Sequence, residues 1–104
     1  MANQVNPDVV FAAISNSAVS IIDVRTPGEF SKGSIKGSVN IPVDEIAEKI
    51  EASISDKDRL IYLYCLSGSR SQMAADILTD LGYTHAFSMT NGLLMWRFKK
   101  YELV

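Results

Sequence analysis

The segment from Cys65 to Ser71 combines residue types that could build an anion-binding nucleophile. Gly68 permits a positive φ, so the backbone can curl around one point. When a curled loop runs into the first turn of a helix, its N–H groups point inward and lower the pKa of a thiol from about 8.5. Arg70 adds a permanent cation at the edge of such a cradle. We therefore predict that Cys65 is a nucleophile in a cradle formed by Leu66, Ser67, Gly68, Ser69, Arg70 and Ser71.

Cys65 is the single cysteine of the sequence, and His85 is its single histidine. One cysteine forms no internal disulfide, and together with one histidine it lacks the ligand spacing of a zinc site, so no metal or other cofactor is expected. Free cysteine is most often a small buried hydrophobe, yet such a residue needs no nearby glycine and arginine. The lone thiol favours a reducing, cytoplasmic setting. His85 has no partner constellation and is interpreted as a surface residue.

Length and charge limit the class of protein. The 104 residues are enough for one domain, residues 1–104, with a single packed core. Ten basic residues against twelve acidic ones give a formal charge of −2. That balance argues against nucleic acid or an anionic membrane surface as a partner, because both select basic patches. The sequence has no run of about 18 apolar residues, so no membrane span is expected.

Short apolar runs alternate with helical segments along the chain. We predict strands at 4–5, 19–24, 38–41, 60–64 and 86–89, and helices at 7–14, 44–54, 70–81 and 92–101. This order predicts an α/β fold with a mostly parallel sheet of about five strands, flanked by helices on both faces. Ligands of such folds bind outside the carboxyl ends of the strands. The loops there are 65–70 and 25–37, and the longer one has room for one helical turn.

Several local signals refine these elements. Asn6 is a good N-cap with Pro7 at the first helical position, and Gly82 suits the end of the helix before it. Asp23, Arg25 and Glu29 are candidates for a charge network that braces the loop after the second strand. Asp23 is the member expected to reach the cysteine loop. The apolar residues of the closing segment are interpreted as core and pocket wall: Met89, Leu93, Leu94, Met95 and Trp96.

Residues 19–98 resemble the single-domain rhodanese family, sulfurtransferases that work through a cysteine persulfide. The pattern Cys65-x-x-Gly68-x-Arg70-Ser71 is similar to the active-site loop of that family. The N-terminal signature is matched by Asp23-Val24-Arg25-x-x-x-Glu29-Phe30-x-x-Gly33 and Ile35-x-Gly37-Ser38-x-Asn40-Ile41-Pro42. The helix after the loop and the closing segment are matched by Ala74, Ala75, Leu78, Gly82, Tyr83, Gly92 and Trp96.

The resemblance implies a two-step sulfur transfer. The Cys65 thiolate takes the outer sulfur of thiosulfate or a similar donor, and cyanide or a thiol, which can belong to another protein, then removes it. An external acceptor is required because no second cysteine can resolve the persulfide. Arg70 is expected to hold the anionic sulfonate or to lower the pKa of the thiol.

Two departures and two alternatives accompany this resemblance. Ser34 stands where a histidine is common, and Asn91 stands where a glycine often precedes Gly92; both positions are interpreted as structural. One alternative is a cysteine-dependent phosphatase or arsenate reductase of the same fold. Resemblance to those phosphatases would call for five residues between the cysteine and the arginine, whereas Cys65 and Arg70 enclose four. The other alternative is a non-catalytic rhodanese-like binding module.

Overall fold

Five strands form one sheet in which every neighbouring pair is parallel. In the computed structural model, which describes residues 3–104, their order across the sheet is β1-β5-β4-β2-β3. This arrangement confirms the predicted parallel α/β fold. The strands are β1 (Asn3–Val5), β2 (Val19–Asp23), β3 (Val39–Asn40), β4 (Leu60–Tyr64) and β5 (Ala86–Met89). The helices are α1 (Pro7–Ala12), α2 (Pro27–Ser31), α3 (Ile46–Ser53), α4 (Ser69–Asp80) and α5 (Gly92–Phe98).

Strand β4 lies at the centre of the sheet because its continuous apolar run suits burial on both faces. Its last residue, Tyr64, pairs with Asp23 at the end of β2. The Val24 N–H then donates to the Tyr64 carbonyl at 3.0 Å. The two loops selected from the sequence therefore begin side by side at the carboxyl edge of the sheet.

The helices cover both faces of the sheet and form two apolar cores. Helices α3 and α4 pack on one face through Ile46, Ile50, Ala74, Ala75 and Leu78. Helices α1 and α5 pack on the other face through Val10, Leu93 and Trp96. Leu94, predicted as core or pocket wall, is 55% exposed and lines an open pocket beside Ser67 and Met95, so it belongs to the pocket wall. Leu94 directly follows Leu93 on α5, and the rotation of about 100° per helical residue carries it from the core face to the solvent face.

Helix and strand ends agree with the local signals, with differences of a few residues. The Asn6 side chain accepts the Asp8 N–H at 2.8 Å, as an N-cap does. Helix α5 ends three residues earlier than predicted, because Lys100 has a φ of +61°. That turn sends the chain back over α1, where Tyr101 stacks on Phe11 with ring centroids 4.0 Å apart. Among residues 3–104, none of the helices has the length and apolar character needed to cross a membrane.

Candidate active site

Cys65 is the first residue after β4, and its side chain is enclosed by the loop that follows. The residue is 0% exposed. Two backbone N–H groups point at its Sγ, one from Gly68 at 3.1 Å and one from Ser71 at 3.4 Å. The sulfur therefore faces one N–H donor from the middle of the loop and one from its end.

The curl of the loop depends on Gly68, which precedes α4. Its φ of +107° is a left-handed conformation that L side chains rarely adopt. The conformation turns the Gly68 N–H toward Cys65 and starts α4 at Ser69, so that the N–H of Ser71 in its first turn also faces the sulfur. The side chains of Ser67 and Ser69 point to solvent and Leu66 is half-buried. Those three residues therefore frame the mouth of the cradle.

A short chain of hydroxyl groups extends the cradle into the core. Ser71 Oγ lies 3.6 Å from Cys65 Sγ and 3.1 Å from the Gly68 carbonyl, to which it can donate. It also lies 2.7 Å from Ser88 Oγ on β5. If Ser88 donates its single hydroxyl proton to Ser71, the Ser71 proton is free to point at a thiolate. Ser88 was not predicted from the sequence. The signal that could have found it is a polar residue two positions after Ala86, on the same buried face of β5.

These contacts favour the ionised form of Cys65. Burial of the side chain raises the pKa of the thiol, but the hydrogen bonds from the Ser71 N–H, the Ser71 hydroxyl and the Gly68 and Arg70 N–H groups lower it. The net result is a pKa below the ordinary value of a cysteine. A larger fraction of Cys65 is therefore thiolate at neutral pH than of a free cysteine.

Removing the Ser88 hydroxyl should weaken this stabilisation. In Ser88→Ala, we expect the pKa of Cys65 to rise, because the Ser71 hydroxyl loses the partner that leaves its proton free to point at the thiolate. The pH profile of Cys65 alkylation by iodoacetamide measures this change. Ser20→Ala is the matched control, because Ser20 accepts from Arg59 at the amino end of β2. A Ser88→Ala profile that coincides with that of the unchanged chain would contradict the proposed hydroxyl chain.

The predicted charge network forms two separate ion pairs. Asp23 and Arg25 are buried together, with Arg25 Nη2 2.6 Å from Asp23 Oδ2 and 2.7 Å from the Gly33 carbonyl. This pair ties the start of the loop after β2 to its far end. The Asp23 carboxylate bonds to the Arg25 side chain and N–H, and in the described part of the chain no hydrogen bond joins it to residues 65–71.

Glu29 is the carboxylate that reaches the cysteine loop. Arg70 donates from Nη1 to Glu29 Oε1 at 2.7 Å and from Nη2 to Oε2 at 3.1 Å. Glu29 belongs to α2 and Arg70 to α4, so the bidentate pair joins the two loops at the carboxyl edge. The Arg70 guanidinium is therefore already paired with a carboxylate of the chain before a substrate binds.

The N-terminus of α5 fixes the first two residues of the cysteine loop. The Leu93 N–H donates to the Cys65 carbonyl and the Leu94 N–H donates to the Leu66 carbonyl, both at 3.0 Å. Gly92 makes this close approach possible, because a Cβ there would lie 2.4 Å from the Cys65 carbonyl oxygen. Asn91, one of the departures from the family pattern, takes a φ of +61°, which asparagine tolerates better than most residues. The sequence singled out Gly92 by resemblance, but its contact with the loop required the structure.

Comparison with known proteins agrees with this fold. Residues 6–99 match the family described as Rhodanese-like domain. The chain is 36% identical over 77 residues to the thiosulfate sulfurtransferase PspE of Escherichia coli strain K12, covering 74% of each chain. It is 32% identical over 85 residues to the thiosulfate sulfurtransferase GlpE of Stutzerimonas stutzeri, covering 82% of this chain and 76% of GlpE. A solved rhodanese-related protein from Thermoplasma volcanium is similar with a TM-score of 0.83 at 31% identity, over 98% of this chain and 97% of that one.

The fold and the site together define a class of protein in which a cysteine lies in a backbone cradle at the carboxyl edge of a parallel sheet. The chain belongs to the rhodanese-like domain family, as its motifs predicted. At the level of the family, its relatives support sulfur transfer as the activity.

Proposed function

We propose that this chain is a sulfurtransferase that moves a sulfane sulfur from thiosulfate or a similar donor to cyanide or a thiol through a persulfide on Cys65. The observation that carries the proposal is the convergence of the Gly68 and Ser71 N–H groups on Cys65 Sγ. Preorganised N–H groups stabilise a negative charge on sulfur without rearrangement. Both the thiolate and the persulfide carry that charge.

The reaction balances without an external oxidant or reductant. The Cys65 thiolate attacks the outer sulfur of thiosulfate, a new S–S bond forms, the old S–S bond breaks, and sulfite leaves with its electron pair. The persulfide keeps one negative charge. Cyanide then attacks the outer sulfur, thiocyanate leaves, and the Cys65 thiolate is restored. A thiolate acceptor removes the sulfur in the same way and leaves as a persulfide.

This chemistry gives the other loop residues a role, and it requires a setting in which Cys65 stays reduced. Leu66, Ser67 and Ser69 form the rim that a donor or acceptor meets, and Ser71 supplies both an N–H and a hydroxyl. The acceptor can be a thiol of a second protein. We also propose that residues 1–104 act as one domain in a reducing compartment such as the cytoplasm, where Cys65 stays a thiol.

Intact mass spectrometry tests the persulfide cycle directly. After incubation with thiosulfate, we expect the chain to gain the mass of one sulfur atom, and after cyanide we expect it to lose that mass. Cys65→Ser should show neither change, because the hydroxyl of serine is a far weaker nucleophile and leaving group than a thiolate. The measurement requires protein in which Cys65 has first been shown to be reduced.

Other outcomes would assign the site differently. A chain with reduced Cys65 that gains no sulfur from thiosulfate or from other sulfane donors would contradict sulfur transfer. Hydrolysis of an aryl phosphate by that chain would then indicate a phosphatase of the same fold. Inertness in both assays would indicate a binding module.

A further inference from the structure

The charge of the cysteine loop is cancelled by a residue outside it. Arg70 is the only cation among residues 65–71. Both of its terminal nitrogens donate to Glu29, and the two side chains are 32% and 33% exposed. The fixed dipoles around Cys65 Sγ are N–H and hydroxyl groups, which carry no net charge. The cradle therefore contains no unpaired cation.

Glu29 is held in place before any substrate binds. Its carboxylate accepts the N–H and the hydroxyl of Thr26, both at 3.1 Å, and its own N–H donates to the Thr26 hydroxyl at 3.2 Å. This reciprocal capping box begins α2. The hydrogen bond from Arg70, opposed by burial and assisted by Thr26, lowers the pKa of Glu29 to about 2. The carboxylate is consequently ionised throughout the neutral pH range.

We propose that Glu29 determines the charge preference of the site, because its pairing with Arg70 favours sulfane donors that carry one negative charge or none over doubly charged thiosulfate. This inference deepens the proposed sulfur transfer and rests on it. It names the donor class as organic thiosulfonates and persulfides of small thiols. Glu29 acts through Arg70 and is a specificity-determining residue, without contact to the reacting sulfur.

The physical reason is that charge interactions scale with the charge of the ligand. A carboxylate near the mouth repels a dianion twice as strongly as a monoanion, and an unpaired guanidinium would attract it twice as strongly. The N–H groups of Gly68 and Ser71 are sufficient for the single charge of the thiolate or persulfide. The second negative charge of a dianionic donor finds no free cation in the loop, because Glu29 already pairs with Arg70.

The experiment compares two donors in Glu29→Gln. Thiosulfate carries two negative charges and methanethiosulfonate carries one, and both transfer their outer sulfur to Cys65, releasing sulfite and methanesulfinate respectively. Glutamine keeps the shape of Glu29 and one acceptor oxygen for Arg70 or Thr26. We expect the KM for thiosulfate to fall about three- to tenfold and the KM for methanethiosulfonate to fall by about half that amount on a logarithmic scale. Added salt should reduce the difference between donors.

A second measurement reads the same charge effect without sulfur transfer. Iodoacetate and iodoacetamide alkylate Cys65 by the same reaction, and they differ by one negative charge. The ratio of their rates should shift about three- to fivefold toward iodoacetate in Glu29→Gln. Glu51→Gln is the matched control, since Glu51 lies on α3 and the substitution removes the same charge from its exposed ion pair with Lys57. Glu51→Gln should leave unchanged both the ratio of the two donors' KM values and the ratio of the two alkylation rates.

The outcomes separate the two proposals. If Glu29→Gln leaves the donor ratio and the alkylation ratio unchanged, or raises the KM of both donors equally, Glu29 has only a structural role and the inference is overturned. If the alkylation ratio shifts while neither donor forms a persulfide, the proposed function fails and the charge role of Glu29 stands.

Discussion

Alanine in place of Gly92 should nearly abolish sulfur transfer and should also destabilise the chain. The new Cβ would lie 2.4 Å from the Cys65 carbonyl oxygen and 2.5 Å from that of Leu66, so the backbone of the cysteine loop has to move. Two hydrogen bonds, from the N–H groups of Leu93 and Leu94 to these carbonyls, are then lost or weakened. We expect the free energy of unfolding to fall by about 2–4 kcal/mol from strain and lost hydrogen bonds. Because the N–H groups around Cys65 Sγ also shift, the rate of persulfide formation should fall at least about a hundredfold.

Gly82→Ala is the matched control for the conformational part of this effect. Gly82 also has a positive φ, of +97°, but a Cβ there would meet no atom within 4 Å. Its substitution should cost about 1 kcal/mol of stability and leave persulfide formation unchanged. Urea unfolding and the single-turnover rate with thiosulfate measure both effects. Equal losses of sulfur transfer in the two variants would show that the contact between Gly92 and the loop is unimportant.

Replacement of Asp23 by asparagine should produce the largest loss of stability among charge substitutions. Asp23 is fully buried, and it is the carboxylate partner of the buried Arg25 guanidinium. Asparagine keeps the shape but leaves Arg25 as a buried charge without a counterion. Such changes cost about 3–5 kcal/mol. Urea unfolding gives the free-energy difference.

Two further variants identify the cause of that loss. Glu45→Gln breaks the exposed ion pair between Glu45 and Lys49 and should cost less than about 1 kcal/mol. The double variant Asp23→Leu with Arg25→Met removes both buried charges and should recover part of the stability lost in Asp23→Asn. Should Asp23→Asn be no more harmful than Glu45→Gln, the buried pair would not stabilise the fold.

The sequence was sufficient for the fold because each strong signal is local. The apolar run of β4, the alternation of strands with helices, and the N-cap at Asn6 all act between near neighbours in the chain. Cys65 and its loop were predicted for the same reason: the glycine, the arginine and the first turn of α4 lie within six residues of the thiol. The local backbone geometry at Gly68 and in the first turn of α4 turns two of the loop's N–H groups toward the sulfur.

The partners of the charged and hydroxyl groups could not be predicted in this way. Glu29 and Arg70 are 41 residues apart, and Ser71 and Ser88 are 17 residues apart. Which side chains meet at these distances depends on the sheet order and on the direction each helix takes from its strand. The sequence favoured Asp23 as the contact with the cysteine loop, and the fold places Glu29 there. The choice between them decides whether Arg70 is available to a substrate.

The complete enclosure of Cys65 has a consequence for the timing of its chemistry. Because the residue is 0% exposed, we expect a reagent to reach the sulfur only when part of the loop 66–70 moves aside. At high reagent concentration the rate then becomes independent of concentration, because it equals the frequency at which the loop opens. If the proposed persulfide forms, the same closure would shield its outer sulfur from stray thiols and oxidants between openings. The persulfide would thus have a lifetime that the protein sets through its own motion, as suits a carrier that holds sulfur until a suitable acceptor arrives.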